Sequence, residues 1–472
     1  MSSVAVRNHF PTFLQAVISE DRPALTRAVQ EHITRAEDAS ELIGRMGLIA
    51  MRGDNEGHPV LALAAASALC RWLIALRHLL GEENPEQAIG LPLVIESLLA
   101  GAPAIRAGND APHKDPEPIF PSALGEKETV GAKMQQAIYA SDTITVERLL
   151  SGLDGTGADY RTISIRIYDA ISQTFQEDGH SLLDAVRGAQ VLDAVEWGEA
   201  TLNYIAWLSP HLPLHTEEPS WIEDVRAFLQ EPQHSLASYR TRLAAPKNEQ
   251  ALPLRSLILS DASTPQICQA VFDALMKNGA SARAIGSVIA LAACDLLSTL
   301  DDESDLFVRA SHGLLYASAT RLVFPQVQEV EALPLLFTAA AAVHALARDL
   351  GAQNSTGKAA RPGVAGGGLI APALLESLSE QIETQDGAGA LSTARRYIQL
   401  GHDPRALFSM IGLGAAQTDI QADQGHTLQI ILAAGDEYLS WPAELAATSV
   451  EGFLQVALRA AVLARRKALA SA

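Results

Sequence analysis

The sequence has few cysteines, and they are not arranged for a disulfide framework or a thiolate metal site. Only three occur in 472 residues, at Cys70, Cys268 and Cys294, and they lie far apart. Disulfide frameworks need pairs of cysteines, and thiolate metal sites need closely spaced ones. We therefore expect three ordinary buried thiols in a reducing compartment, which predicts a cytoplasmic protein.

Long basic runs are also missing. The net charge is −20 and the pI is near 5.0, and the only short basic run is residues 465–467. Such a chain repels a phosphate backbone, so nucleic acid is not an expected partner. The first residues lack a basic segment followed by an apolar one, and Arg71 interrupts the most apolar stretch, residues 58–76. We expect neither export nor a membrane span.

No alternating strand pattern stands out, and helical periodicity dominates from end to end. Small and apolar residues recur at three- and four-residue spacing in stretches such as LALAAASALCRWLIALRHLL and ARAIGSVIALAACDLL. This spacing is typical of helices that bury one face. Because 48% of the residues are hydrophobic, the chain has ample material for a large core. The sequence predicts an all-α fold.

Two segments of the chain resemble each other. Residues 279–293 and 401–415 are identical at seven of fifteen positions, and each precedes a helix that carries a histidine, His312 or His426. Two earlier segments carry a histidine in a similar setting, at His58 and His180. The four histidines are separated by 122, 132 and 114 residues. The pattern predicts an array of four helix-pair units with a histidine at the start of each second helix. These units would form two pseudo-symmetric halves, residues 1–245 and 250–472.

The recurring histidines are candidate metal ligands. Three of them follow a glycine, at Gly57, Gly179 and Gly425. Glycine permits a positive φ and therefore a sharp turn into the next helix. If the four helix starts converge, they bring four imidazoles to one ion, as helix bundles commonly do. The alternative is that each histidine only caps or packs its helix and was copied with the unit.

Four imidazoles without a thiolate fit a redox metal with open coordination positions better than structural zinc. Iron is the predicted metal and zinc the alternative. The HExxH signature of zinc proteases is absent, and Pro210 and Pro213 predict that His211 and His215 do not share a helical face. Further residues that could complete or orient the site are His9, His344, Asp178, Asp419 and Glu437.

Several short motifs resemble those of questin oxidase-like proteins. They are the (D/E)xGHxL units that contain His180 and His426, the segment SHGLLYASATRL at 311–322, and the Asn-His pair at residues 8–9. They are also similar to the helical region that precedes Rieske domains in some bacterial proteins. The resemblance implies an all-α oxidoreductase acting on polycyclic aromatic polyketides by oxygen insertion or ring cleavage. In some members several histidines and a carboxylated lysine hold a non-haem iron.

The sequence departs from that family in one respect, and it lacks the Rieske cluster. No lysine occurs within ten residues after any of the four histidines, so the carbamate ligand has no counterpart here. The three cysteines lack the paired histidines of a Rieske cluster. Electrons would therefore have to come from the substrate or from a separate protein.

Taken together, the residues and the resemblance predict a metal-dependent oxidoreductase, a non-haem iron oxygenase acting with O₂ on an aromatic small molecule. Two alternatives stay open. One is a non-catalytic helical repeat scaffold that binds a protein partner, and the other is a zinc-dependent hydrolase with the same ligands. Base rates favour a homodimer.

Overall fold

The computed structural model describes residues 4–80, 85–111, 116–125, 128–195, 200–241, 245–300, 306–326, 329–351, 371–418, 420–446 and 448–471. Every regular element in these ranges is helical, which confirms the predicted all-α class. The α-helices are α1 (Val4–Ile18), α2 (Arg22–His32), α3 (Ala36–Ala50), α4 (His58–Leu80), α5 (Pro85–Ile89), α6 (Leu91–Ala100), α7 (Ala102–Asp110), α8 (Val130–Tyr139), α9 (Thr143–Gly155), α10 (Tyr160–Ile171), α11 (His180–Leu183), α12 (Ala189–Val195), α13 (Thr201–Leu208), α14 (Trp221–Gln230), α15 (Pro253–Ile258), α16 (Thr264–Phe272), α17 (Ala282–Thr299), α18 (Leu306–Gln326), α19 (Pro334–Asp349), α20 (Ala371–Glu383), α21 (Gly387–Gln399), α22 (Pro404–Ala416), α23 (His426–Leu439) and α24 (Glu451–Ser471).

Polar side chains fix many of the helix starts. Asp142 accepts the backbone N–H of Thr145 at 3.0 Å, and Ser281 accepts that of Ala284 at 3.2 Å. Such caps satisfy amide groups that have no partner within the helix. Most of the stabilisation comes instead from burying apolar faces, because isolated helices of this length are marginal in water.

Four helical segments close a ring at the centre of the fold. Helix α4 packs on α23, α23 on α18, and α18 on α11. Helix α11 continues into the π-helical segment Asp184–Gly188, which packs back on α4. A preceding helix lies against three members of the ring, with α3 on α4, α17 on α18 and α22 on α23. The predicted helix pairs are therefore present as packed neighbours, while their relation as repeats stays a prediction.

One part of the repeat prediction is wrong. Helices α4, α11 and α23 begin at His58, His180 and His426, but α18 begins at Leu306 and carries His312 in its interior. The residue before His312 is Ser311, where the other three positions have a glycine with positive φ. Without a left-handed turn before His312, α18 continues through residues 311 and 312 as a regular helix.

A continuous hydrophobic core joins the two predicted halves of the chain. Buried residues of α4 belong to the same cluster as those of α18, α22 and α23. Because α4 packs directly on α22 and α23, residues 1–245 and 250–472 meet at the centre of the molecule. Their division into separate domains stays a prediction. The three cysteines are buried and free of disulfides, as expected.

Three helical stretches in the described part of the chain are long and apolar enough to cross a membrane by length and composition alone. They are His58–Ala75, Ala282–Thr299 and Val330–Asp349, and a bent pair, α6 with α7, would make a fourth. The first of them covers all but the last residue of the apolar stretch 58–76, in spite of the charge of Arg71. In this fold 67–78% of these stretches is buried against the rest of the chain.

Candidate metal centre

The four recurring histidines meet at one end of the central ring. The ring centroids of neighbouring histidines lie 4.9–5.2 Å apart, around the circuit from His58 to His180, His312, His426 and back to His58. Across this circuit, His180 and His426 are 6.4 Å apart. Four helical segments from distant parts of the chain therefore bring their imidazoles to a common point.

The ring nitrogens come close enough for a single ion. His312 and His426 place their Nε2 atoms 3.2 Å apart. One ring nitrogen each of His58, His180 and His426 lies within 4.8 Å of the other two. Ligand nitrogens held about 2.0–2.1 Å from a metal are separated by about 3.0–3.4 Å at neighbouring coordination positions. The His312–His426 distance already falls in this range, while the other rings need small movements inward.

Backbone carbonyls orient three of the four rings. The Nδ1 atom of His426 lies 2.7 Å from the carbonyl oxygen of Asp423, and that of His312 lies 3.1 Å from that of Val308. His180 makes the same contact with Glu177. An Nδ1–H that donates to a carbonyl leaves Nε2 unprotonated, with its lone pair facing away from that carbonyl. The Nδ1 atom of His58 is buried and makes no hydrogen bond of comparable geometry.

The surroundings keep three of the four imidazoles neutral. Burial, followed by the nearby rings of His180 and His426, lowers the pKa of His58 to about 4. Burial also lowers the pKa of His312 to about 3, again with help from neighbouring histidines, and the pKa of His426 falls in the same direction. Neutral imidazole is the form that binds a metal ion. The rings of His58, His312 and His426 are therefore in that form at neutral pH.

These pKa values predict that the metal-free protein loses stability on mild acidification. Unfolded imidazoles take up protons near pH 6.5, whereas His58 and His312 in the folded protein do so only near pH 4 and pH 3. Between those values the unfolded state binds more protons, so the free energy of unfolding falls as the pH falls. We expect a loss of about 3 kcal/mol or more between pH 7 and pH 4.5, measured by urea unfolding in the presence of a chelator.

A variant separates this effect from the titration of carboxylates. The double variant His58→Asn, His312→Gln lacks two of the groups, so its stability should fall less steeply over the same pH interval. An equal slope in the variant and the original protein would contradict the prediction.

Strained turns lead into three of the histidine helices. Gly57, Gly179 and Gly425 have φ of +83°, +92° and +74°. The residues Glu177 and Asp178 also have positive φ, so three consecutive residues before His180 are left-handed. Non-glycine residues in this region cost free energy and persist where the surrounding structure holds them, often at functional sites.

Carboxylates, one buried and one half-buried, brace two of these turns. Asp54 accepts the N–H groups of Glu56 and Gly57, both at 3.0 Å, and it also faces the indole N–H of Trp207. Asp423 accepts the N–H groups of Gly425 and Thr427, at 2.8 and 3.1 Å. The two side chains play the same part before His58 and His426. Both carboxylates bind backbone N–H groups and are not among the candidate metal ligands.

The turn before His180 offers a sharp test of this geometry. A Cβ at Gly179 would lie 2.3 Å from the ring of Tyr316, and the residue has a positive φ. We expect Gly179→Ala to cost about 3 kcal/mol, from backbone strain and from the displaced ring, measured by urea unfolding. Gly157→Ala is the matched control, because Gly157 has φ +74° and no described atom lies within 4 Å of its added Cβ. It should cost only about 1 kcal/mol.

The other predicted site residues are placed as follows. His9 stacks on His32 with ring centroids 3.6 Å apart, and Nδ1 of His344 donates to the Ile258 carbonyl at 2.8 Å. Asp178 is exposed at the turn before His180. Glu437 is buried and pairs with Arg321, three helical turns after His426. Asp419 lies outside the described residues.

Sequence reasoning did not associate a further buried pair, Asp184 and His211, with this centre. Asp184 is 2% exposed, its Oδ2 lies 3.6 Å from Nδ1 of His211, and its Oδ1 makes no hydrogen bond to the described residues. A Cβ at Gly57 would come within 2.9 Å of that Oδ1, which places the carboxyl beside the turn that leads to His58. Burial, with the nearby charges of Asp54 and Glu177, raises the pKa of Asp184 well above its usual range.

The pair has a recognisable local origin. Asp184 begins the π-helical segment, a distortion that occurs often at functional sites. His211 ends a short 3₁₀ turn, Ser209–His211, so the prolines around it do prevent a continuous helix. His211 stands out in the sequence because His215 follows it by four residues. Only the packing of the turn shows that His211 lies beside Asp184.

A cavity of about 320 Å³ adjoins the histidine cluster. His312 forms part of its wall, and the aromatic rings of Phe175, Trp221 and Tyr316 form another part. Acidic side chains from the turn before His180, including Glu177, lie at its edge. A small molecule in this space would therefore lie next to one of the four rings.

These features define a partly buried, nitrogen-rich centre with donor atoms of the type that transition metals bind, and with a cavity at its side. No protein-family model, curated protein or solved structure matches the chain. The resemblance to questin oxidase-like proteins accordingly stays a prediction.

Proposed function

We propose that the chain is a metal-dependent oxidoreductase, a non-haem iron oxygenase or oxidase that acts on an aromatic small molecule. His58, His180, His312 and His426 would hold the metal, and the adjoining cavity would hold the substrate. O₂ would be the second substrate.

One observation carries the metal assignment. The Nε2 atoms of His312 and His426 face each other at 3.2 Å, although both rings already use Nδ1 in contacts with backbone carbonyls. Neither neutral ring can then donate a hydrogen to the other, and two lone pairs at this distance repel. Buried polar atoms without a partner are costly in a folded protein. A cation between the nitrogens removes that cost.

The donor set favours a redox metal. Imidazole suits iron, copper, zinc and nickel, and a set without thiolates is unusual for a structural zinc site. A bound iron would supply the electron transfer with dioxygen that protein side chains cannot perform. The chain itself would orient three of the four rings through backbone carbonyls, shield the rings of His312 and His426 from bulk water by burying them, and place the substrate against His312.

A specific observation supports a zinc-dependent hydrolase as the second candidate. One nitrogen each from His58, His180 and His426 forms a compact set of three, the number of protein ligands in several catalytic zinc sites. A zinc enzyme would convert its substrate without consuming oxygen. Oxygen uptake therefore separates the two candidates.

The test begins with protein purified without a histidine tag after anaerobic expression with excess iron. Elemental analysis is expected to show about one transition metal ion per chain, with iron dominant. Oxygen consumption with a panel of aromatic compounds then tests the reaction class. Protein that contains no stoichiometric transition metal, and takes up none on reconstitution, would overturn the proposal.

A further inference from the structure

The cavity beside His312 has one wall built from aromatic rings. Phe175 lies between Trp221 and Tyr316, with ring centroids 4.9 Å and 5.2 Å away. The ring of Phe175 is inclined at 59° to that of Trp221 and at 79° to that of Tyr316, and all three residues line the cavity. Tyr316 is buried, and Phe175 and Trp221 are half-buried. The wall is a stable part of the core rather than a set of mobile surface rings.

The edge of the same cavity is strongly acidic. Four of its lining residues are carboxylates and one is a guanidinium, that of Arg309. Arg309 is paired with Asp349 at 3.2 Å, so its positive charge is already balanced. The remaining carboxylates are those of Glu177, Asp178 and Glu217. No unpaired cation lines the cavity among the residues that the structure describes.

The aromatic wall and the acidic edge together favour positively charged ligands. Aromatic faces carry partial negative charge and attract ammonium groups placed over them. Carboxylates around a cleft with apolar walls focus a negative potential into it, and the chain as a whole carries a net charge of −20. An anionic ligand would lose its hydration and meet only like charge. A neutral one would gain contact with the rings but nothing from the carboxylates.

The geometry points to an organic cation as the ligand of this cavity, an amine or quaternary ammonium compound that carries an aromatic or other apolar group. The cationic group would lie where Glu177, Asp178 and Glu217 meet the aromatic wall, and the apolar group would lie against the rest of that wall. This inference rests on the proposed function in one respect, since the ligand becomes the substrate only if the neighbouring histidines hold the metal. The binding preference itself does not depend on that.

The test compares three probes of similar size and different charge. They are benzyltrimethylammonium, its neutral isostere neopentylbenzene, and benzenesulfonate. Binding is followed by calorimetry and by tryptophan fluorescence, to which Trp221 is one of five contributors, on chelator-treated protein and on metal-loaded protein. We expect the cation to bind about tenfold more tightly than the neutral probe and the anion not to bind. The cation's affinity should also fall with added salt, because exposed charges contribute to it.

Two sets of variants show whether the wall and the edge act as described. Asp178→Asn with Glu217→Gln removes two charges and should weaken the cation about fivefold while leaving the neutral probe unchanged. Asparagine is chosen because Asp178 has φ +55°, which asparagine tolerates. Trp221→Leu should weaken both probes, and the cation more.

The outcomes separate this inference from the proposed function. Equal or tighter binding of the neutral probe, tighter binding of the anion, or failure of all three probes would overturn the charge preference. Any of these results leaves the metal assignment untouched. Conversely, selective binding of the cation by a protein that takes up no metal would support the cavity and refute the oxidoreductase.

Discussion

Replacing His312 or His426 with glutamine is expected to reduce bound metal at least about tenfold, because each substitution removes one ligand of a small set. The Nε2 atoms of the two rings face each other at 3.2 Å. Metal content per chain, measured after reconstitution with iron and extensive dialysis, gives the result directly. Glutamine has a similar volume to histidine and preserves packing.

The matched control is His344→Gln. His344 is also buried within a helix and also uses Nδ1 in a contact with a backbone carbonyl, that of Ile258. It takes no part in the four-ring circuit, so its replacement should leave metal content near that of the original protein. If His344→Gln lost as much metal as His426→Gln, the loss would reflect general damage to the fold.

The same variants carry a second signature that a structural role would not produce. In the metal-free protein the facing Nε2 atoms are unfavourable, so removing one ring should leave the melting temperature unchanged or raise it. Metal should raise the melting temperature of the original protein in proportion to its occupancy, and this increase should vanish in the variants. A large fall in the melting temperature of metal-free His312→Gln would contradict this view.

The second large effect is expected at the buried ion pair between α18 and α23. The Nε atom of Arg321 donates to Oε1 of Glu437 at 2.7 Å, and the two side chains are 3% and 0% exposed. Glu437→Leu leaves the guanidinium buried without its counter-charge, and we expect it to cost about 3–5 kcal/mol of stability in urea unfolding.

A double variant distinguishes a lost charge partner from a damaged core. Arg321→Met with Glu437→Leu removes both charges and should recover most of the stability, because apolar side chains of similar size can replace a buried pair. An exposed pair serves as the control. Glu117 is 88% exposed and lies 3.4 Å from Arg148, so Glu117→Gln should change stability by less than about 0.5 kcal/mol. A double variant as unstable as the single one would show that the pair itself is not the cause.

The pair also bears on the metal centre. Its two helices carry His312 and His426. A second, partly buried pair, Arg187 with Asp436 at 2.7 Å, links α23 to the π-helical segment. Polar contacts between these helices restrict how they can slide or rotate. Glu437, which the sequence suggested as a ligand or orienting group, is thus placed to fix the register of the helices that hold the histidines.

The amino-acid pattern predicts the helical class because small and apolar residues recur at helical spacing along most of the chain. It also singles out His58, His180 and His426, since a glycine before each marks a turn. It fails for His312, which lies within α18 and not at its start. Residues 301–305, just before Leu306, are all acidic or polar, and the sequence there contains no glycine or proline that would mark the start of the helix.

Other features depend on packing and leave no local trace. Asp184 has an ordinary helical neighbourhood in sequence, and its contact with His211 arises only when a short 3₁₀ turn packs against α11. The pairing of Glu437 with Arg321 joins residues far apart in the chain. Periodicity indicates which face of a helix is buried, but not which residue of another helix will meet it.

The circuit of rings takes one member from each quarter of the chain, so the centre can be completed only after His426 has been synthesised and folded into place. A ribosome-bound chain that ends before this residue has at most three of the four rings. Loading with metal would therefore mark a finished molecule, and a fragment that ends before α23 should remain empty even where its own helices have formed.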